Sequence, residues 1–138
     1  MRIGRALVAS LLAAAVVAVT LAGCSHTAER TLLTQFFAAS RLRDNTALRD
    51  LATVSFEPTV QGIVTRYDIT RVTPAADAGG RVVSKEVMIS APVRLPGGRI
   101  VEKRFVVTMH PAPREEPAGR WIITAIRDVP ADPSIPPL

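Results

Sequence analysis

The sequence predicts an α+β domain: an N-terminal helical hairpin packed on a curved four-stranded antiparallel sheet. Three observations lead there. Apolar residues recur at three- and four-residue spacing between residues 27 and 52. Four runs with two-residue alternation then follow in series. Short Gly- and Pro-bearing turns separate them, which favours a meander of sequential neighbours over crossover connections. Helices lying on one face of such a meander make two layers around one core. At 138 residues the chain suits one domain.

The first helix is expected over Thr27 to Arg41, where Leu32, Leu33, Phe36, Phe37 and Ser40 share a face. Asp44 or Asn45 reads as the N-cap of a second, two-turn helix carrying Ala47, Leu48, Leu51 and Ala52. The first strand run is Val60 to Val72, with Ile63, Thr65, Tyr67 and Ile69 alternating with Arg66, Asp68 and Thr70. A turn is expected over Pro74 to Gly80. The second run, Arg81 to Val93, puts Val83, Val87, Ile89 and Ala91 on one face. Pro92 marks a bulge or the strand end, because it has no N–H for the ladder. Leu95-Pro96-Gly97-Gly98 fits a tight hairpin. The third run is Arg99 to His110, with Val101, Phe105, Val107 and Met109 on one face. After a loop over Pro111 to Gly119, the fourth run is Arg120 to Val129. Trp121, Ile123 and Ala125 should share one of its faces, and Ile122, Thr124 and Ile126 the other. Residues 130–138 hold four prolines and read as a disordered tail.

The start of the chain has a different character. Arg2 and Arg5 precede an apolar stretch from Ala6 to Val19, broken only by Ser10. That stretch is short for a membrane-spanning helix, which needs about 20 apolar residues. Leu21-Ala22-Gly23-Cys24 follows. The four features in order resemble a bacterial lipoprotein signal peptide ending in a lipobox. The resemblance implies diacylglycerol on the Cys24 sulfur, cleavage before Cys24 by signal peptidase II, and recognition through Leu21, Ala22 and Gly23. It divides the chain into a leader (1–23), a lipidated tether (24–29), the domain (30–129) and the tail. Several acyl chains exceed what stable anchoring requires. The residue after the cysteine is Ser25 rather than Asp. In a double-membrane bacterium this implies the outer membrane, facing the periplasm.

Composition limits the function classes. The formal charge is +5, and loss of Arg2 and Arg5 with the leader would lower it to 15 basic against 12 acidic residues. The basic residues are scattered: Arg41, Arg43 and Arg49 on the helices, Arg99, Lys103 and Arg104 on a strand. With four Phe, one Tyr and one Trp, the chain lacks the dense basic stripe and stacking aromatics of a nucleic-acid site. A single cysteine excludes an intrachain disulfide and a Cys-rich zinc site.

Two segments carry a second resemblance. Phe36-Phe37-Ala38-Ala39-Ser40-Arg41-Leu42-Arg43-Asp44, followed by Leu48 and Leu51, has the pattern of helix, polar turn and second helix. Gly119-Arg120-Trp121-Ile122-Ile123 has that of a last strand whose Trp packs under the helices. Together they resemble the nuclear-transport-factor-like superfamily of cystatin-like folds. In that superfamily the sheet bends into a cone, which holds a ligand or active site in larger members. This chain lacks the third helix and extra strand pair that close such a cone, so its concave face is expected to be filled by its own helix. Dimerisation through the sheet, common in related folds, makes a homodimer an expectation by analogy.

No residue set converges on chemistry. His110 with Asp68 would be the acid–base pair of an enzyme, but both alternate away from the apolar face. Glu115 and Glu116 lie in a Pro-rich loop without the rigid separation glycoside hydrolysis requires. Gly79-Gly80 and Gly97-Gly98 are turn pairs, not a phosphate cradle. Tyr67, Phe105, Met109 and Trp121 are the candidate pocket lining, with plain core as the simpler reading. Ser84, Glu86, Arg66 and Arg104 suggest a polar outer face. The expectation is a lipid-anchored envelope accessory or binding protein without catalysis, cofactor or metal, held to the membrane by its lipid and meeting a protein partner there. The alternative is a cone that binds or turns over a small molecule.

Overall fold

The computed structural model describes residues 26–113 and 119–130. The leader and lipobox residues Leu21, Ala22, Gly23 and Cys24, the acids Glu115 and Glu116, and the tail beyond Pro130 lie outside these. Two helices and a curled antiparallel sheet form an α+β fold, with helices α1 (Thr27–Leu42) and α2 (Asn45–Leu51) preceding all the strands.

Helix α1 ends where its backbone turns left-handed at Arg43 (φ 54°). Asp44 N–H donates to Ala39 O and Arg43 N–H to Ser40 O, at 2.9 and 3.1 Å. This is the Schellman pattern, which satisfies the last carbonyls of the helix. The Asp44 carboxylate then caps α2 by accepting from Ala47 N–H at 3.1 Å, so Asp44 rather than Asn45 is the N-cap. Beyond α2 the chain is extended at Ala52, and Thr53 N–H donates to Ile123 O at 2.9 Å.

The strands are β1 (Ile63–Val64), β2 (Asp68–Ala76), β3 (Val82–Arg94), β4 (Ile100–Pro111) and β5 (Trp121–Val129). The order is β1-β3-β4-β5, with β2 also on β3. The first strand run of the sequence is thus broken: β1 and β2 share one edge of β3, and Thr65 to Tyr67 leave the ladder between them. Pro92 accounts for the break. Strand β3 neither bulges nor ends there, since Pro92 pairs with Glu102 and β3 runs on to Arg94. Met88 O accepts from Thr70 on β2. Backbone groups alternate in direction along a strand, so the donor missing at Pro92 would have pointed to that same edge.

Pro74 is not the start of a turn either. Strand β2 continues to Ala76, with Pro74 opposite Lys85. The same alternation turns the Pro74 nitrogen to the open edge of β2, where no donor is needed. The turn begins at Asp77, whose carboxylate accepts from Gly79 and Arg81 N–H at 2.9 and 3.0 Å.

Bulges shape both outer strands. Thr70 is the extra residue between the pairs Ile69–Ile89 and Arg71–Met88. Thr124 is extra between Met109–Ile123 and Thr108–Ala125. Each threonine hydroxyl donates to a carbonyl across the ladder, Thr70 to Met88 O at 3.2 Å and Thr124 to Thr108 O at 3.4 Å. An inserted residue flips the facing of everything beyond it. Ile69 and Val72 therefore both pack on the core, as do Ile123 and Ile126. The expectation that Ile126 faces away from Ile123 fails for this reason.

Leu33, Phe36 and Phe37 of α1 meet Val87, Ile89, Ala91 and Val93 of β3, Phe105, Val107 and Met109 of β4, and Ile123 of β5. Each such burial stabilises by about 1.5–3 kcal/mol. Edge-to-face contacts link Phe36, Phe37, Phe56 and Phe105 at 5.4, 5.5 and 5.8 Å. Ser40, buried on the apolar face of α1, donates to Phe56 O at 2.5 Å and ties the segment after α2 beneath the helix.

Candidate functional site

The break between β1 and β2 opens a cleft of about 220 Å³ against α1. One wall is Arg30, Thr34, Phe37 and Arg41, which fall at intervals of four, three and four and form one stripe of α1. The other is Thr65, Arg66 and Tyr67, the residues that leave the ladder.

Hydrogen bonds fix the two walls together. Tyr67 O–H donates to Arg30 O at 2.7 Å, so the Thr34 hydroxyl, 2.8 Å away, is left to donate to the tyrosine oxygen. Phe37 packs against the Tyr67 ring at 5.9 Å. Arg41 Nη1 donates to Val64 O at 2.8 Å, which closes the end of the cleft beside β1. Arg66 and Thr65 are exposed, and among the described residues neither side chain has a hydrogen-bond or ion-pair partner. The Arg30 side chain is likewise exposed and unpaired, its neighbour Glu29 being committed to Lys85. Among the described residues, those that line the cleft include no carboxylate.

A second polar cluster lies beneath the start of α1. Glu29 is 6% exposed and accepts from Lys85 Nζ at 3.0 Å. The same ammonium lies 4.1 Å from the centroid of the Trp121 ring. Burial alone would raise the Glu29 pKa. The Lys85 hydrogen bond, a backbone hydrogen bond, and the charges of Lys85 and His26 together outweigh it and hold the carboxyl below its ordinary value of 4.5.

The four residues read from the sequence as pocket lining are not brought together. Phe105 and Met109 are packed in the core at 2% and 1% exposure. Tyr67 lies in the cleft and Trp121 under Lys85. His110 and Asp68 are exposed, and the strand register separates them by six residues along β3, about 20 Å. His110 Nδ1 is instead 2.7 Å from Thr124 Oγ1. Among the described residues no three His, Cys, Asp or Glu side chains cluster as metal ligands, and no helix is long and apolar enough to cross a membrane.

Alternation assigned Arg66 to the polar outer face, but alternation holds only within a ladder, and Thr65 to Tyr67 have left it. The helical half of the cleft did leave a signal in the sequence. Arg30, Thr34 and Arg41 form a polar and basic border to the apolar stripe of Phe37. Comparison with protein-family models, curated proteins and solved structures gives no significant match to this chain.

Proposed function

We propose that this chain is a lipid-anchored envelope protein with an accessory, binding role and no catalysis of its own. The observation that carries the reading is the succession of features in the leader sequence, from Arg2 and Arg5 through the apolar stretch to Leu21-Ala22-Gly23-Cys24. Lipid on Cys24 holds the protein at the membrane surface by several acyl chains. Only three Cα–Cα steps, through Ser25 and His26, lead from Cys24 to Thr27, where α1 begins. At full extension they span about 10 Å, so the domain works close against the headgroups.

The fold fits this role as a small cystatin-like domain, with two helices followed by a meander. Support for a non-catalytic role comes from its interior, where Leu33, Phe36 and Phe37 fill the space between helix and sheet. Further support comes from the separation of His110 from Asp68. A protein partner in the envelope, and pairing of two copies through the sheet, belong to the same reading. Membrane fractionation of the full chain tests the anchor. The wild type partitions with membranes and into detergent. Cys24→Ala should abolish lipid incorporation and signal peptidase II processing. A Cys24→Ala chain that is still cleaved and still membrane-bound overturns the reading.

A further inference from the structure

We propose that the cleft between α1 and the β1–β2 break binds a phosphoryl oxyanion, with the guanidinium groups of Arg30 and Arg66 and the Thr65 hydroxyl as its donors. The ligand chemistry follows from what the cleft contains. The cations among its described lining residues are all arginines: Arg30, Arg41 and Arg66. The planar fork of a guanidinium suits oxyanion recognition better than an ammonium. Arg41 is already committed to Val64 O, so it contributes charge and a fixed wall. Arg30 and Arg66 line opposite walls, one on the helix and one on the departed strand segment. A tetrahedral phosphoryl group presents oxygens to both, whereas a planar carboxylate is matched by a single fork. Tyr67 spends its hydroxyl on Arg30 O and positions the site rather than binding in it.

Among the described residues, Arg30 and Arg66 have no structural task that explains them. Arg30 stands in the first turn of α1, where a cation opposes the helix dipole. Arg66 is exposed and holds no partner among the described residues. The volume of about 220 Å³ is small for a whole drug-sized ligand and suits a headgroup or a free phosphate. The proposal deepens the binding role proposed above. Its lipid source rests on the Cys24 anchor, while its ligand chemistry does not.

The test is calorimetric titration of inorganic phosphate into the full chain held in uncharged detergent micelles. Saturable one-site binding is expected. Arg66→Ala and Arg30→Ala should each weaken it about tenfold or more. Arg49→Ala, which removes the same charge from α2, should leave it unchanged. Arg66→Lys keeps the charge without the fork and should fall between wild type and alanine. Thermal melts of the variants separate loss of binding from loss of fold. Doping the micelles with phosphatidylglycerol then distinguishes the sources. Displacement of phosphate identifies a lipid headgroup, and undiminished phosphate binding identifies a soluble phosphate; both uphold the site. Absence of saturable binding, or equal weakening by Arg49→Ala and Arg66→Ala, overturns it. Repeating the titration with the Cys24→Ala chain keeps the two readings apart, because losing the anchor leaves the phosphate site intact.

Discussion

The Lys85 ammonium lies 4.1 Å from the centroid of the Trp121 ring, on the face of the sheet that α1 covers. The same group meets Glu29 at 3.0 Å, so one side chain of β3 links the start of α1 to the start of β5. The aromatic face and the carboxylate both stabilise the cation, and the cation in turn makes burial of Glu29 tolerable. Removal of Lys85 should therefore cost more than the contact itself is worth. Severing a fully buried pair costs about 3–5 kcal/mol. The Lys85 side chain keeps 19% of its exposure, which lowers the expectation for Lys85→Met to about 2 kcal/mol. The double variant Lys85→Met with Glu29→Leu should recover most of that loss. Urea unfolding of both variants at an unchanged slope checks it; an undiminished loss in the double variant would show that packing, not the stranded charge, sets the cost.

The pH dependence of stability carries the same pair. The folded state holds Glu29 below its ordinary pKa of 4.5, so the folded state binds the proton less readily than the unfolded chain. The stability this supplies is full above pH 4.5 and is lost as the pH falls through the lower, folded value. Glu29→Gln cannot titrate. The difference in thermal midpoint between wild type and Glu29→Gln should be constant at neutral pH and should shrink below pH 4.5. A difference that does not change between pH 7 and pH 3 would refute the assignment.

Most of the fold is legible in the sequence because its signals are local. The α1 face, the Asp44 cap and the Leu95–Gly98 hairpin each depend on a few neighbouring residues. Two features are not local. The departure of Thr65 to Tyr67 from the ladder is set by Pro92, a residue on the facing strand. The bulges at Thr70 and Thr124 appear only as a change of spacing, Ile69 to Val72 and Ile123 to Ile126, which strict alternation misreads. The cleft inherits both properties. Its helical wall is a readable stripe, but its strand wall exists only because the ladder opens opposite Pro92.

The Thr124 bulge gives a direct test of that account. Its hydroxyl donates to Thr108 O and meets His110 Nδ1 at 2.7 Å. Thr124→Val keeps the shape and removes the hydroxyl. It should destabilise by about 1 kcal/mol, and the imidazole 15N signals of His110 should shift as the contact of Nδ1 with the hydroxyl is lost. His110→Ala in the Thr124→Val background should then cost less than in the wild type. Equal cost in both backgrounds would mean that the pair contributes nothing.

Gly62 fixes where β1 meets β3, and so where the chain leaves for the cleft. Its φ is +97°, and a Cβ there would stand 2.6 Å from Arg94 O and 2.7 Å from Val93 Cγ1. Gly80 has a similar φ of +78° but open space around the missing Cβ. The two positions separate backbone strain from steric exclusion. Gly80→Ala should cost about 1–2 kcal/mol, the strain alone. Gly62→Ala adds a collision with the β3 backbone and should cost about 3 kcal/mol or more. Because the collision pushes β1 away from Arg94, phosphate binding in the cleft should weaken in Gly62→Ala even where the domain remains folded, and stay at the wild-type level in Gly80→Ala. Melting midpoints and phosphate titrations on the two variants check both parts. Equal destabilisation of the pair would show that the β1–β3 approach is looser than the 2.6 Å separation requires.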